Sequence, residues 1–309
     1  MKKALILIAT ENRYFWNYIQ KNTKDYDIWI AYKKYLYAPP KKFLVKHREL
    51  NFLKIGILGN WKNHIKQYDK VIMFDSSFSN QLGKKLSKYK FERGVFFIYW
   101  NYSDRNQEKM ELQLGAIDEY ISKYSFNLTD CEKYHLLYNP TFYEPYDLEK
   151  LGNVSIKYDI IFSGYLKNDR FERLDDFLTS IEKKKYRLMI DVWGKKEGKK
   201  TERFEIKDTA TPYMEYLKLI AESRVMLDIA TVIEKGLSLR ALEAMFYKKK
   251  LITNDPYIKH EKFYSPNNIF IIGMDDIEKL DEFIDGNFDE SVLKELDEYR
   301  IQPWIDRFV

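Results

Sequence analysis

The sequence predicts an α/β protein built from two doubly wound parallel-sheet domains facing a cleft. Three observations lead there. Short apolar runs of strand length alternate with helical segments, and the alternation restarts near the middle of the chain. The 309 residues are long for one compact domain and comfortable for two of about 150 each. Strands that alternate with helices form parallel βαβ units covered on both faces, and right-handed crossovers wind them doubly.

In the first half, Ala4–Ala9 reads as a strand and Phe15–Lys21 as the helix that follows it. Lys70–Phe74, Gly94–Trp100 and Asp118–Tyr124 read as further strands. Thr141–Tyr146 is extended, and Leu151-Gly152-Asn153 suits a linker, placing the first domain at 1–150 and the second at 151–298. The second half runs Tyr158–Phe162 (strand), Phe171–Ile181 (helix), Arg187–Val192 (strand) and Pro212–Ser223 (helix). Arg224–Ala230 (strand), Leu239–Tyr247 (helix), Lys250–Thr253 (strand) and Ile269–Ile272 (strand) continue it. Helices near Ile277–Ile284 and Ser291–Tyr299 close it, and residues 299–309, with Pro303-Trp304, are expected to cross back to the first domain. No repeat at a 20–50 residue period is present, which argues against a solenoid.

Composition narrows the function classes. With 45% hydrophobic residues the chain builds real cores, and nothing suggests disorder. Ala4–Ala9 falls far short of the roughly 20 residues of a membrane span, and Thr10-Glu11-Asn12-Arg13 follows it instead of a cleavage site. A single cysteine, Cys131, excludes an internal disulfide and fits a reducing cytoplasm. The net charge of +5 is unevenly spread: residues 1–150 hold 25 Lys and Arg against 17 Asp and Glu, whereas 151–309 hold 27 against 30. Lys41, Lys42, Lys46, Arg48 and Lys54 interleave with apolar residues between Lys41 and Lys54. That stretch is either a positive face drawn to an anionic membrane or pyrophosphate-bearing acceptor, or a solvated amphipathic helix. Nucleic-acid binding would need a stronger basic bias and a known module. His47, His64, His135 and His260 are scattered, so zinc is not expected. Asp25-Tyr26-Asp27 superficially matches an Asp-x-Asp metal motif, but it precedes its apolar run and reads as a turn.

The most informative segment is Ile233–Met245, which follows a strand and opens a helix. Unpaired N–H groups and the helix dipole at such a start suit a diphosphate near Gly236 and Leu237. Ser238 either caps the helix or donates to phosphate, and Arg240 supplies a forked cation. Glu243, one turn in, can accept ribose hydroxyl protons, although such a residue is also an ordinary surface charge. A second candidate turn is Gly164-Tyr165-Leu166-Lys167-Asn168-Asp169-Arg170. Gly164 allows close backbone approach, and Lys167 or Arg170 could neutralise a diphosphate leaving group; the alternative is a polar turn with an Asn168-Asp169 helix cap. For an acceptor-activating base, Asp75 closes a strand and Glu11 follows one; the alternatives are a helix cap and a loop charge. Trp100-Asn101 also ends a strand, and asparagine there suits binding only.

Tyr213–Met245, Lys249–Asn254, Phe263–Ile269, Tyr124-Ser125-Phe126 and Asp130–Tyr134 together resemble bacterial GT-B glycosyltransferases of capsule and lipopolysaccharide synthesis, related to the CgeB-like group. The resemblance covers most of residues 118–273 and is strongest over Gly236–Glu243. It implies two Rossmann-like domains, the glycine-led turn at Gly236 on the donor diphosphate, and Glu243 on the ribose. It also implies a hexosyltransferase-type, metal-independent transfer from a nucleoside-diphosphate sugar to a saccharide or lipid-linked acceptor. The enzyme would be cytoplasmic, or peripheral at the inner face of the plasma membrane, and would need no cofactor. Many retaining members carry two glutamates eight positions apart; Glu234 and Glu243 differ by nine, which leaves the stereochemistry open. A sugar-nucleotide epimerase of the same fold, or a noncatalytic nucleotide-sugar-binding protein, are the alternatives.

Overall fold

A computed structural model describes residues 3–9, 19, 25–32, 58–77, 82–83, 86, 88–89, 91, 94–99, 107–117, 119–152, 154–196, 198–199, 201–232 and 235–309. The expected helix Phe15–Lys21, the basic stretch Lys41–Lys54 and the Trp100-Asn101 strand end lie outside them, apart from Ile19. The chain divides into two compact units, Met1–Asn139 with Ile305–Val309, and Pro140–Trp304.

The first unit carries β1 (Lys3–Ile8), β2 (Tyr26–Ile30), β3 (Tyr68–Phe74), β4 (Gly94–Tyr99), β5 (Ile121–Ser125) and β6 (Leu137–Tyr138). These make one parallel sheet in the order β2-β1-β3-β4-β5-β6, with α1 (Gln107–Ala116) and α2 (Leu128–Tyr134) among its helices. The near-continuous apolar runs of β1 and β3 follow from burial on both faces, as central parallel strands require. Val71 pairs with Leu5 on one side and Val95 on the other, and Leu5, Val71, Met73, Val95 and Phe97 share one core with Trp61. Asp25-Tyr26-Asp27 is not a turn throughout: Tyr26 and Asp27 belong to β2, where Asp27 accepts the Tyr68 hydroxyl at 2.7 Å. Pairing with β1, opposite Leu5 and invisible to local patterning, makes this acid a strand residue.

The last five residues belong to this unit. Phe308 packs its ring against Phe96 and Tyr124, with centroids 5.5 and 4.8 Å away. The Tyr124 hydroxyl donates to Val309 O at 3.1 Å, and buried Lys70 donates its ammonium to Ile305 O at 2.8 Å.

The second unit carries β7 (Tyr158–Tyr165), β8 (Leu188–Trp193), β9 (Ile206–Lys207), β10 (Ser223–Asp228), β11 (Lys250–Thr253) and β12 (Ile269–Ile271). They form a second parallel sheet ordered β12-β11-β10-β7-β8-β9. Its helices are α3 (Arg170–Ser180), α4 (Tyr213–Ala221), α5 (Leu239–Phe246) and α6 (Leu280–Asp285), with α7 (Ile301–Asp306) reaching the unit boundary. Leu174, Phe177 and Leu178 of α3 recur at helical spacing and bury against Ile160, Phe162, Val225 and Leu227 of the sheet. The expected helix Ser291–Tyr299 is instead a 3-10 run, Glu290–Tyr299, capped by the Asp289 carboxylate on the Ser291 N–H. The unit begins at Pro140, earlier than the expected boundary at 151, because Tyr143 packs on Phe246 and Tyr247 and its N–H bonds Tyr299 O. Among the described residues no helix is long and apolar enough to cross a membrane.

Phe308→Ala would empty a fully enclosed aromatic site in the first unit. Urea denaturation should show a loss of about 3–5 kcal/mol, and Phe308→Leu a smaller one; an unchanged midpoint for both would mean the terminal segment adds no stability.

Candidate functional site

The topology of the second sheet marks one position. Read from β9, the order is the third, second, first, fourth, fifth and sixth strand of the unit, so connections leave β7 and β10 in opposite directions. The carboxyl ends of these two neighbours flank the crevice where open α/β sheets bind ligands. Gly164 is the last residue but one of β7, Arg170 opens α3 after it, and Gly236 to Glu243 follow β10.

Asp228, the last residue of β10, organises this crevice. It is 2% exposed, and its carboxylate accepts the Ser238 hydroxyl at 2.6 Å and the Arg240 Nε at 2.7 Å. Arg240 Nη2 also lies 2.7 Å from Oδ1, and Nη1 reaches across to Ser163 O on β7 at 3.3 Å. The guanidinium stands 5.5 Å from the centroid of the Phe162 ring. Ser238 caps α5 as well, its oxygen accepting the Ala241 N–H at 3.0 Å. Glycine at 164 eases the close approach of Arg240: a Cβ there would come within 3.1 Å of Phe162 and 3.3 Å of Arg240 Nη1, and those side chains would have to give.

The other turn fastens the walls of the crevice. Buried Arg170 donates from Nε to Ile229 O at 2.7 Å and from Nη1 to Tyr165 O at 3.0 Å. Asn168 takes a left-handed backbone, φ 47°, and Asp169 occupies the N-cap position of α3 without a capping bond of its own side chain. The Asp169 carboxylate accepts instead from Arg173 and from the Val232 N–H. Lys167 is half-buried in the same turn. Asn254, after β11, pairs its amide with both backbone groups of Ala230. Beside β7, fully buried Asp191 on β8 accepts from Ser163, Lys207 and Thr211 at 2.7–2.8 Å. Burial would raise its carboxyl, but Lys207 and the two hydroxyls outweigh it and hold Asp191 below the usual range.

Glu243 lies three residues after Arg240 on α5 and is 5% exposed. The Tyr216 hydroxyl, from α4, donates to its Oε2 at 2.6 Å; among the described residues Oε1 has no hydrogen-bond partner. Burial, with the Asp228 charge, pushes its carboxyl from 4.5 up to about 7, against the pull of Tyr216 and Arg240. Next to it the Tyr143 hydroxyl sits 2.7 Å from that of Tyr213 and 2.8 Å from that of Tyr247. Asp255, beyond β11, is pushed up to about 6 by burial and by the Asp228 and Glu261 charges, against its bond from the Tyr257 N–H.

In the first unit the sheet order places its own switch point between β1 and β3. Asp75 follows β3 there, 2% exposed, with its N–H on Ile98 O at 3.0 Å. Its turn is tied to β1, since the Ser77 hydroxyl lies 2.9 Å from Leu7 O and 2.8 Å from Phe74 O. Glu11 lies outside the described residues, as does Glu234. Among the described residues no cluster of His, Cys, Asp or Glu is arranged to hold a metal ion.

The second unit therefore brings Gly164, Arg170, Ser238, Arg240 and Glu243 to one crevice, with half-buried Gly236 and buried Leu237 on the turn before α5. Sequence reasoning missed Asp228, Asp191 and Tyr216. Asp228 left a faint signal, as an acid ending the apolar run Val225–Leu227.

No family model matches the chain, and no curated protein matches it by sequence. Among solved structures, it is similar to sucrose-phosphate synthase from Thermosynechococcus elongatus. The match covers 99% of this chain and 97% of that one, at 9% identity and a TM-score of 0.57. The fold is GT-B. An α-glucosyltransferase in complex with UDP-glucose and DNA containing an abasic site also matches, over 99% of this chain and 93% of that one, at 13% identity and a TM-score of 0.48.

The raised carboxyl of Glu243 gives a signed expectation. The folded state keeps this proton between pH 4.5 and about 7 while the unfolded chain releases it, so the unfolded state binds fewer protons there. Stability falls as pH rises through that window, by about 3 kcal/mol from this group. Glu243→Gln removes the titration, so its stability advantage over the wild type should open across the window and level off above it. Denaturation series from pH 4 to pH 8 would show this; a constant gap would contradict it.

Proposed function

We propose that the protein is a glycosyltransferase that moves a sugar from a nucleoside-diphosphate donor to a saccharide or lipid-linked acceptor of bacterial surface polysaccharide. One observation carries the reading. The crevice between β7 and β10 holds a capped helix start and, one turn in, a buried carboxylate with an oxygen left over. That combination suits a diphosphate joined to a ribose: N–H groups at the start of α5 for the anion, and Glu243 for the diol. The protein whose fold it shares is by its name an enzyme that makes sucrose phosphate, which agrees with sugar transfer.

Roles follow from the geometry. Ser238 and Arg240 are engaged with Asp228, so in this reading they shape the turn that meets the diphosphate, and Arg240 adds positive potential. Gly236 and Leu237 present backbone to it, while Lys167 lies on the opposite wall and Arg170 holds that wall in place. Charge on the leaving diphosphate is met by these groups, and no metal enters the scheme. Asp75, at the switch point of the first sheet, is the proposed base that takes the acceptor hydroxyl proton, with Glu11 as the second candidate. The Lys41–Lys54 stretch would give the first unit its attraction to an anionic membrane surface on the cytoplasmic side.

Thermal shift against UDP, GDP, CMP and dTDP, with and without magnesium, tests the donor site. A ligand at 100 times its dissociation constant adds about 2.7 kcal/mol. One nucleotide should shift the transition independently of metal, and Glu243→Ala should abolish that shift; no shift from any nucleotide would refute the donor reading. Asp75→Asn should leave donor affinity intact and lower transfer by about 10²–10⁴, and undiminished transfer would clear Asp75 of the base role.

A further inference from the structure

The donor-site reading leaves open what sets the carboxylate of Glu243 in place, and α4 supplies the answer. Glu243 is nine-tenths buried, yet its one hydrogen-bond donor among the described residues is the Tyr216 hydroxyl, 2.6 Å from Oε2. Burial and the Glu243 charge push that hydroxyl far above its usual value, so Tyr216 stays protonated and always donates. The other groups that face the carboxylate are charged or hydroxylic without bonding it. Arg240 lies on the same helix, Asp228 ends β10, Tyr213 lies on α4, and Tyr143 comes from the segment before β7. Tyr213 and Tyr143 bond each other, and Tyr143 also bonds Tyr247, so these three hydroxyls satisfy one another.

We propose that Tyr216 is a positioning residue for ribose recognition: by holding Oε2 of Glu243, it leaves Oε1 as the acceptor for the 2′-hydroxyl of a ribonucleoside diphosphate. This rests on the donor-site reading and adds a substrate consequence, selection of ribonucleotides over 2′-deoxyribonucleotides. A site built to accept a hydroxyl rejects the analogue that lacks it, because the buried acceptor is then left unpaired. The selection depends on the ionised carboxylate, which Tyr216 favours by donating to it.

The test is calorimetric titration with UDP, GDP and CMP, each beside its 2′-deoxy counterpart, from pH 5.5 to 8.5. The wild type, Tyr216→Phe and Tyr247→Phe are compared. The Tyr247 hydroxyl bonds Tyr143 and the Tyr146 N–H and makes no hydrogen bond to the Glu243 carboxylate, so its variant loosens the same cluster without touching that carboxylate. In the wild type the preference for the ribonucleotide should be at least about tenfold and should grow as pH rises through about 7. Tyr216→Phe should lose most of that preference, and its remaining pH midpoint should move up by about one unit or more. Tyr247→Phe should keep both. Wild-type binding with the preference and midpoint unchanged in Tyr216→Phe would overturn the role of Tyr216 and spare the donor site. Equal losses in both tyrosine variants would reduce Tyr216 to general packing and overturn it too. No binding of any nucleotide by the wild type would overturn the donor site itself, and this inference with it.

Discussion

The bond network of Asp228 is the constraint on which the second unit depends. Its two carboxylate oxygens hold the first turn of α5 through Ser238 and Arg240, and Arg240 carries the tie on to β7. One buried acid thereby joins two strands and a helix at the point where the sheet changes winding direction. A buried pair of this kind contributes little net stability, since desolvation offsets most of the attraction. Losing either partner is another matter, because the other would be left buried without its counter-charge. The network specifies geometry: the helix start cannot drift from the strand ends, and Gly164 gives Arg240 the room to reach them.

Further polar anchors close the same crevice from its sides. Arg170 fixes the exit of β10 to that of β7, Asn254 fixes the same exit to β11, and Asp191 gathers Ser163, Lys207 and Thr211. These buried polar groups are thus committed to bonds within the rim. Glu243 is the departure. Its burial costs stability at neutral pH, and the shell around it supplies a single donor. Groups perturbed in this way by burial concentrate at functional sites, and an apolar residue of similar size would pack there without the cost.

Much of this architecture was readable in advance. The apolar runs of β3, β7, β10 and β11 gave strand positions to within a few residues, because strands buried on both faces leave long hydrophobic stretches. The helix start after β10 showed in Gly236, Ser238 and the apolar positions that follow. What stayed hidden depends on partners distant in sequence. β6 and β9 are two residues long and become strands only by pairing with β5 and β8. Asp27 reads locally as a turn residue and is a strand residue because β2 pairs with β1, opposite Leu5. Likewise Ser238 and Arg240 looked like ligand donors, and nothing local showed that Asp228 engages both. Tyr216 stands 27 positions from Glu243, and helical periodicity assigns each a face without saying that the faces meet.

The two sheets also differ in a way that matters for chemistry. The first is ordered second-first-third and onward, so its switch point falls between β1 and β3; the second reverses between its first and fourth strands. In the second unit the segments after both flanking strands carry basic residues, Lys167 and Arg170 after β7 and Arg240 after β10. In the first, the turn after β3 presents Asp75 and two serines, and Ser77 is spent on tying that turn to β1. Asp75 is thus a buried carboxylate on a fixed turn. In the proposed reading the two switch points differ in chemistry, one a place for a negatively charged donor and the other a fixed carboxylate. That difference, more than the likeness of the two sheets, is what supports the proposal of group transfer over nucleotide binding alone.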